Sequence, residues 1–169
     1  MSSVWPVQVA PLDPSVPRQN AAIVRSVYAA FNGLARGDEI DSYVETHFHT
    51  DCEYQPVEEA ATIRGHGAIT SWVERWFEAW EDAWDEIIEV IASGRTVVAA
   101  IRVHGRGRRS RMEISQPLFD VHEIRDGKVV RIREYLTRPQ ALEAAGLPLG
   151  TTREVARNRL GRSRAFALA

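Results

Sequence analysis

The change of hydrophobic period along the chain is the feature that most limits its fold. Up to about residue 80, apolar residues recur mainly at three- and four-residue spacings, which is typical of amphipathic helices. After Asp85 the apolar residues alternate instead and turns follow at short intervals, which predicts antiparallel strands. Helices followed by a run of antiparallel strands indicate an α+β fold, with the helices packed on one face of a curved sheet.

The predicted elements follow this division. In the first half we predict three helices and one strand: helices at 17–35, 40–46 and 69–80, and a strand at 49–54. A Gly-His-Gly segment precedes the third helix. The second half contains four predicted strands and a last helical turn: strands at 86–92, 96–104, 111–124 and 128–137, and the turn at 139–145.

Composition indicates one domain. The chain has 169 residues, of which 44% are hydrophobic, enough for one substantial core. We divide it into a proline-rich extended arm at 1–16, a folded domain at 17–149 and a basic tail at 150–169. The tail is interpreted either as a short helix that docks on a partner subunit or as a disordered end.

Charge and cysteine content exclude several classes of protein. The net charge of −2 argues against nucleic acid as the main partner. The single cysteine, Cys52, rules out an internal disulfide and favours a reducing compartment. No apolar run approaches the roughly 20 residues of a membrane span. With no signal-peptide pattern at the start, the expectation is a cytoplasmic protein without a membrane partner.

Glu134 occupies an unusual place in the last predicted strand. Period-two alternation sets it in line with Val130, Ile132 and Leu136, on the apolar face. A buried carboxyl group without partners is costly and responds with a raised pKa, the property of a general acid or base near neutral pH. A structural ion pair with a cross-strand arginine is the competing interpretation.

Several local patterns together resemble a known family. They are Tyr28-Ala-Ala-Phe31-Asn32 with Gly37-Asp38, Gly65-His66-Gly67-Ala68-Ile69, Arg125-Asp126-Gly127-Lys128-Val129-Val130-Arg131 before Tyr135, and Ala141-Leu142-Glu143-Ala144-Ala145-Gly146-Leu147. Residues 20–149 are similar to SnoaL-like proteins of the nuclear transport factor 2 superfamily. The resemblance implies a cone-shaped, curved antiparallel sheet with N-terminal helices on its concave face, a deep apolar pocket, and often a homodimer through the outer sheet face. It leaves function open, because this fold hosts cyclases, isomerases, epoxide hydrolases and binding domains.

Within that superfamily, local similarity to limonene epoxide hydrolase suggests roles for four residues. The segment that begins at Arg133 resembles the Arg-Asp-Tyr-Phe pattern whose carboxylate activates water, with Glu134 as the acid. The segment from Arg102 to His104 resembles an Arg-x-Asp pattern on an earlier strand, with His104 replacing the proton-donating aspartate. Tyr54 resembles the tyrosine that holds the water. The resemblance therefore implies a catalytic group of Glu134, Arg102, Tyr54 and His104.

Alternation in the strand at 111–124 predicts further pocket residues. If the register of Gln116, Leu118, Asp120 and His122 faces the pocket, as the resemblance implies, these residues lie near Glu134 and contact substrate. For His122, a structural hydrogen bond is the alternative. Leu136 continues the pocket face of the last strand.

Arg102 presents a conflict between two kinds of inference. Its strand also carries a wholly apolar register of Val97, Ala99, Ile101 and Val103, and periodicity alone buries that register and leaves Arg102 solvated. The resemblance implies the reverse, with Arg102 pointing inward as the counter-ion of Glu134.

Four tryptophans spaced by four, Trp72, Trp76, Trp80 and Trp84, form a drifting stripe that begins on one helix face. An aromatic stripe of this kind is core, and Trp72 and Trp76 are also predicted to wall the pocket. A hydrophobic small-molecule substrate is the resulting expectation.

Acid–base chemistry without a cofactor remains as the leading hypothesis. The sequence has no phosphate loop, nucleotide fingerprint or nucleophile motif, and its His, Cys and Asp residues do not share a face suited to a metal. We expect a cyclase, isomerase or epoxide hydrolase. The alternative is a non-catalytic ligand-binding or dimerisation domain, which predicts that the polar groups fail to converge in one cavity.

Overall fold

The computed structural model describes Asp13 and residues 15–151. It contains four helices and six strands within that part: α1 Ser15–Leu34, α2 Ile40–His47, β1 Phe48–Gln55, β2 Ile63–Arg64, α3 His66–Ala79, β3 Trp80–Ser93, β4 Thr96–Gly107, β5 Glu113–Arg125, β6 Lys128–Tyr135 and α4 Arg138–Ala144. Nearly all of the predicted arm and tail lie outside the described residues. Among the described helices, none is both long and apolar enough to cross a membrane.

The six strands form one curved, unclosed sheet in the order β2-β1-β6-β5-β4-β3. Pairing is antiparallel along the meander from β3 to β6, as predicted, whereas β1 pairs with β6 in the parallel direction. The predicted α+β fold, with the N-terminal helices on one face of a curved sheet, is confirmed. The sheet is mixed because β1 enters from the helical half of the chain and lies beside the last strand.

A two-residue turn fixes the register of the last hairpin. Asp126 and Gly127 have φ values of +52° and +76°, and they connect the paired residues Arg125 and Lys128. Positive φ at both positions gives the twist that joins antiparallel strands, which is why an Asp-Gly pair is favoured there. A register shift follows between Glu123 and Ile124, and beyond it Asp120 pairs with Glu134.

The main core lies between the helices and one face of the sheet, here called the inner face. The apolar register of β4, including Val97, Ala99, Ile101 and Val103, is buried there, as periodicity alone predicts. A second cluster lies on the outer face, where Ala141 and Leu142 of α4 pack against this sheet. The outer face is thus partly covered by the chain's own last helix.

The long strand β3 begins earlier than predicted. Helix α3 ends at Ala79, and Trp80 already has extended backbone, so the tryptophan stripe is divided between two elements. Trp72 and Trp76 belong to the helix and Trp84 to the strand, where Trp84 stacks on His104 with ring centroids 4.3 Å apart. Trp80 and Trp84 continue the four-residue spacing of the helix by coincidence, although both lie in the strand. The spacing therefore concealed where the helix ends.

Candidate active site

A pocket of about 80 Å³ lies between the helices and the inner face. Its lining is mostly aliphatic and aromatic: Val27, Tyr28, Phe31, Tyr43, Phe48, Tyr54, Glu58, Ile69, Trp72, Val73, Trp76, Asp85, Ile101, Val103, Leu118, Asp120, His122, Ile132 and Glu134. An apolar pocket with few polar groups is the usual form of a small-molecule site.

Two carboxyl groups face each other in this pocket. Asp120 of β5 and Glu134 of β6 are register partners on neighbouring strands, and both side chains line the pocket. Side chains directly opposite on one face of an antiparallel pair have Cβ atoms about 5 Å apart. Two acids in this arrangement cannot both ionise cheaply.

Each of the two carboxyl groups accepts a hydrogen bond from a tyrosine. The Tyr54 hydroxyl donates to Glu134, whose second oxygen accepts the Val57 backbone N–H at 3.0 Å. The Tyr28 hydroxyl donates to Asp120 Oδ2 at 2.5 Å. Both oxygens of Glu134 are therefore engaged as acceptors, whereas Asp120 Oδ1 is buried and has no partner among the described residues.

Burial raises the pKa of both carboxyl groups. It raises the pKa of Glu134 to about 8, with the charge of Asp120 as the second cause. It raises the pKa of Asp120 to about 7, while the hydrogen bond from Tyr28 acts in the opposite direction. Strongly interacting acids titrate as a pair, and the raised pKa values mean that the pair still holds a proton near neutral pH.

His122 belongs to the same hydrogen-bond network. Its Nε2 lies 3.0 Å from the Tyr28 hydroxyl, and its side chain is almost wholly buried. Burial lowers the pKa of His122 to about 3, so the ring is neutral at neutral pH. Because the single Tyr28 hydroxyl hydrogen goes to Asp120, the neutral ring donates from Nε2 and its Nδ1 is left as an acceptor. His122 thus makes a structural hydrogen bond of the kind that the sequence left open as the alternative, and its role in substrate binding stays a prediction.

Asp85 is a third acid in the pocket. It lies on β3, and burial followed by the charge of Glu134 raises its pKa to about 7. The Asn32 side chain holds its backbone on both sides, donating to the Asp85 carbonyl at 2.9 Å and accepting the Asp85 N–H at 2.8 Å. The Asp85 carboxylate itself has no hydrogen bond or ion pair with any described residue.

Aromatic side chains of α3 and β1 wall the carboxyl pair. The Tyr54 ring packs edge-on against Trp72, with centroids 4.8 Å apart, and Trp72 stacks on Trp76 at 5.8 Å. Burial also raises the pKa of Tyr54 well above its usual value, with Glu134 as the next cause, so the phenol stays protonated and remains a donor.

The structure brings most of the predicted site residues together. Seven of them line the one pocket, namely Glu134, Tyr54, Asp120, His122, Leu118, Trp72 and Trp76. Their catalytic and binding roles stay predictions. The binding-only alternative predicted that the polar groups would not converge, and the polar groups of this set do share a cavity.

The prediction that Arg102 and His104 point into the pocket is wrong. Both belong to the outer register of β4, because the apolar residues between them are buried against the helices. Arg102 donates to the Ser115 hydroxyl at 3.3 Å, and His104 lies 3.0 Å from Glu86. Arg102 therefore cannot be the counter-ion of Glu134.

Gln116 and Leu136 were also predicted as pocket residues, and neither lines it. Gln116 shares a face with Leu118 but lies further along β5, where it is exposed and donates to the Pro117 carbonyl. Leu136 follows the end of β6 and is 57% exposed. Both predictions extended an alternating pattern beyond the stretch that the helices cover.

Sequence reasoning missed four polar side chains that line the pocket: Tyr28, Tyr43, Glu58 and Asp85. Tyr28 was assigned only to the apolar stripe of α1, although a tyrosine in a buried stripe needs a partner for its hydroxyl. Asp85 shares a strand face with Ala83 and Ile87, and this pattern predicts an inward direction for Asp85 once β3 is known to begin at Trp80.

The register of β5 and β6 also corrects the comparison with the Arg-x-Asp pattern. The acid that faces Glu134 is Asp120, so a second carboxyl group is present, on β5 rather than on β4. Two residues before it stands Leu118, where that pattern has arginine. Among the residues that line the pocket there is no arginine or lysine.

A family model, the SnoaL-like domain, matches residues 24–132. The chain belongs to the SnoaL-like family. Solved structures support this assignment at the level of the fold. The first is a putative SnoaL-like polyketide cyclase from Jannaschia sp. CCS1, 17% identical, with a TM-score of 0.64, covering 79% of this chain and 94% of that one.

Two further solved structures share this fold. An LEH-like epoxide hydrolase from M. tuberculosis is 16% identical with a TM-score of 0.59, covering 75% of this chain and 89% of that one. A hypothetical protein with a ketosteroid isomerase-like fold from Catenulispora acidiphila DSM 44928, in complex with trimethylamine, is 21% identical with a TM-score of 0.60, covering 77% of this chain and 96% of that one. No protein among the curated ones matches this sequence.

Proposed function

We propose that this SnoaL-like protein is an acid–base enzyme that opens an epoxide on a small molecule with an apolar body. One observation carries the proposal: Asp120 and Glu134 lie directly opposite each other in an apolar pocket, and each is held by a tyrosine hydroxyl. Epoxide opening uses two such groups at once, one to take a proton and one to give a proton.

Glu134 is the base in this proposal. Both of its oxygens accept hydrogen bonds, from Tyr54 and from Val57, and these bonds favour the charged carboxylate. Asp120 is the acid, because its unpartnered Oδ1 is free to carry a proton and present it to a ligand. This assignment puts the shared proton on Asp120 because of its unpartnered oxygen, against the higher pKa of Glu134, which is about 8 where that of Asp120 is about 7.

The proposed step balances as follows. Glu134 removes a proton from water, or from a hydroxyl of the substrate, while that oxygen bonds to an epoxide carbon. The carbon–oxygen bond of the epoxide breaks, and Asp120 gives its proton to the leaving oxygen. The product is a diol, or a cyclic ether when the nucleophile is the substrate's own hydroxyl. Transfer of the proton from Glu134 back to Asp120 restores the pair.

Several findings support the proposal. The chain belongs to the SnoaL-like family, and solved structures with the same fold include an LEH-like epoxide hydrolase and putative polyketide cyclases. Another neighbour is an epoxide hydrolase/cyclase-like enzyme in pyran ring formation, which corresponds to the cyclic ether branch. The complex of one neighbour with trimethylamine supports a small organic molecule as the ligand.

The test is an assay of diol formation from aliphatic, cyclic and aromatic epoxides. We expect the wild type to open at least one of them and Glu134→Gln to lose at least about a hundredfold in rate, the usual size of a general base effect. Glu113→Gln, an exposed acid on β5, is the matched control and should keep the wild-type rate. No turnover of any epoxide, or full activity in Glu134→Gln, would overturn the proposal.

A single turnover in ¹⁸O-labelled water separates two forms of carboxylate chemistry. Activation of water by Glu134 places the label in the diol during the first turnover. Attack by the carboxylate itself would instead place an unlabelled enzyme oxygen in that first diol, which would contradict a general base role.

A further inference from the structure

The charges around the pocket are of one sign. Its lining includes four acids, Glu58, Asp85, Asp120 and Glu134, and neither lysine nor arginine. The one basic side chain, His122, is buried, and its pKa is lowered to about 3. Glu58 is exposed, and the other three acids have no cationic side chain beside them in the pocket, so a positive group on a ligand is the partner that would favour their ionised form.

Asp85 is the acid that the proposed reaction does not use. Asn32 fixes its backbone, which aims the carboxylate from β3 into the pocket. No described residue offers that carboxylate a hydrogen bond or an ion pair, whereas Glu134 and Asp120 each have a tyrosine. A carboxylate that is positioned but unpaired is suited to a ligand with a positive group.

Asp120, the acid of the proposed reaction, also points to a missing partner in the same pocket. Asp120 is only 4% exposed, lines the pocket, and its Oδ1 has no hydrogen-bond partner among the described residues. A buried oxygen of this kind is rare in native proteins and indicates a group that the protein alone does not supply.

The wall of the pocket favours an organic cation. Seven aromatic side chains line it: Tyr28, Phe31, Tyr43, Phe48, Tyr54, Trp72 and Trp76. Aromatic faces attract ammonium groups, and quaternary ammonium ligands are recognised by cages of such rings. The described acids do not gather into a group that could hold a metal ion, which suits a larger cation better than a compact one.

We propose that the ligand of this pocket carries a protonated or quaternary ammonium group on an apolar body, with Asp85 as its counter-ion and the aromatic wall around it. This inference deepens the proposed function and rests on it in taking the pocket as the substrate site. It narrows the substrate to amine-bearing molecules and excludes carboxylates and phosphates, which the four acids repel.

Two probes of equal shape test the proposal: choline, and its uncharged isostere 3,3-dimethylbutan-1-ol. Binding is measured by calorimetry at pH 8, where Asp85 is ionised. We expect the wild type to bind choline at least about tenfold more tightly than the alcohol, because the two differ only in charge. Equal affinity for the two probes would overturn the proposal without any variant.

Asp85→Asn then tests the assigned counter-ion. It retains the backbone contacts with Asn32, and we expect a loss of about tenfold or more in choline affinity with little change for the alcohol. Asp51→Asn is the matched control, because that aspartate has an 80% exposed side chain on β1 and does not line the pocket. An equal loss for both probes in Asp85→Asn would contradict the role of its charge.

These measurements need no turnover, so the two proposals fail separately. If the protein opens an epoxide but does not distinguish choline from the alcohol, the proposal of a cationic ligand is overturned and the proposed reaction stands. If the protein binds choline selectively but turns over no epoxide, the proposal of a cationic ligand is supported and the proposed reaction is overturned.

Discussion

The Tyr54 hydroxyl donates a hydrogen bond to Glu134 across 80 positions of sequence. This bond lowers the pKa of Glu134 against the effect of burial, which raises it. Tyr54→Phe keeps the ring against Trp72 and removes only the donor. A hydrogen bond to a charged group contributes about 1.5–3 kcal/mol, so the loss should raise the Glu134 pKa by at least about one unit.

The expected result of Tyr54→Phe is a shift of the pH–rate profile for epoxide opening to higher pH, with a fall of about tenfold in kcat/KM at pH 7. Tyr43→Phe is the matched control, because Tyr43 lines the same pocket and its hydroxyl has no hydrogen bond to a described residue. An unshifted profile in Tyr54→Phe would show that this phenol does not act on Glu134.

Stability should fall as pH rises from about 6.5 to 8.5. The folded-state pKa values of Asp85, Asp120 and Glu134 are raised, so the folded state binds more protons than the unfolded one at neutral pH. Their contribution is complete below the unfolded pKa values near 4 and is lost as pH rises through the folded ones. Burial lowers the pKa of His122, so its contribution to stability increases with pH up to about 6.5, the pKa of the unfolded chain. Above that pH, His122 does not change the stability further.

Thermal unfolding measures this slope. Each acid that is protonated in the folded protein but ionised in the unfolded chain lowers the free energy of unfolding by about 1.4 kcal/mol per pH unit, and this slope disappears once the acid ionises in the folded protein. For a chain of this size, a loss of that amount lowers the melting temperature by about 2–5 °C. Glu134→Gln should flatten the profile in this window, and Glu113→Gln should leave it unchanged. A melting temperature that rises between pH 6.5 and 8.5 would mean that the acids are not protonated in the folded protein.

Tyr28→Phe should destabilise the protein. It removes the donor to Asp120 and the partner of His122 in a buried network, and leaving such groups unsatisfied costs about 1–3 kcal/mol each. Tyr135→Phe is the control, because its hydroxyl has no hydrogen bond to a described residue. Chemical denaturation should separate the two variants by at least about 1 kcal/mol, and equal stabilities would argue that the Tyr28 bonds contribute nothing.

The sequence predicted the fold more reliably than the site, for reasons that particular residues make clear. The inward direction of Glu134 could be predicted because alternation along one strand is a local pattern. The start of that strand is also marked in the sequence, by the turn at Asp126-Gly127. Its opposing acid, Asp120, was named, but its pairing with Glu134 depends on a register shift that no pattern in either strand reveals. Arg102 was misplaced because a family pattern was preferred to the strand's own apolar register.

We also propose that the protein is a homodimer through the outer sheet face, as the family resemblance implies. That face carries Trp84, which is 45% exposed and stacks on His104. Trp84→Glu would place a charge in an apolar contact and should give a monomer by light scattering. Leu149→Glu, at another exposed apolar side chain, is the control. A wild-type monomer, or a dimer that survives Trp84→Glu, would contradict this interface.

The kinetics of Asp120→Asn, Glu134→Gln and the double variant test the central claim most directly. If the two acids act as one acid–base pair, each single variant should lower kcat for epoxide opening by at least about a hundredfold, and the double variant should be at most a few-fold slower than the worse single one. Single variants within about threefold of wild type, or losses that multiply in the double variant, would contradict the account.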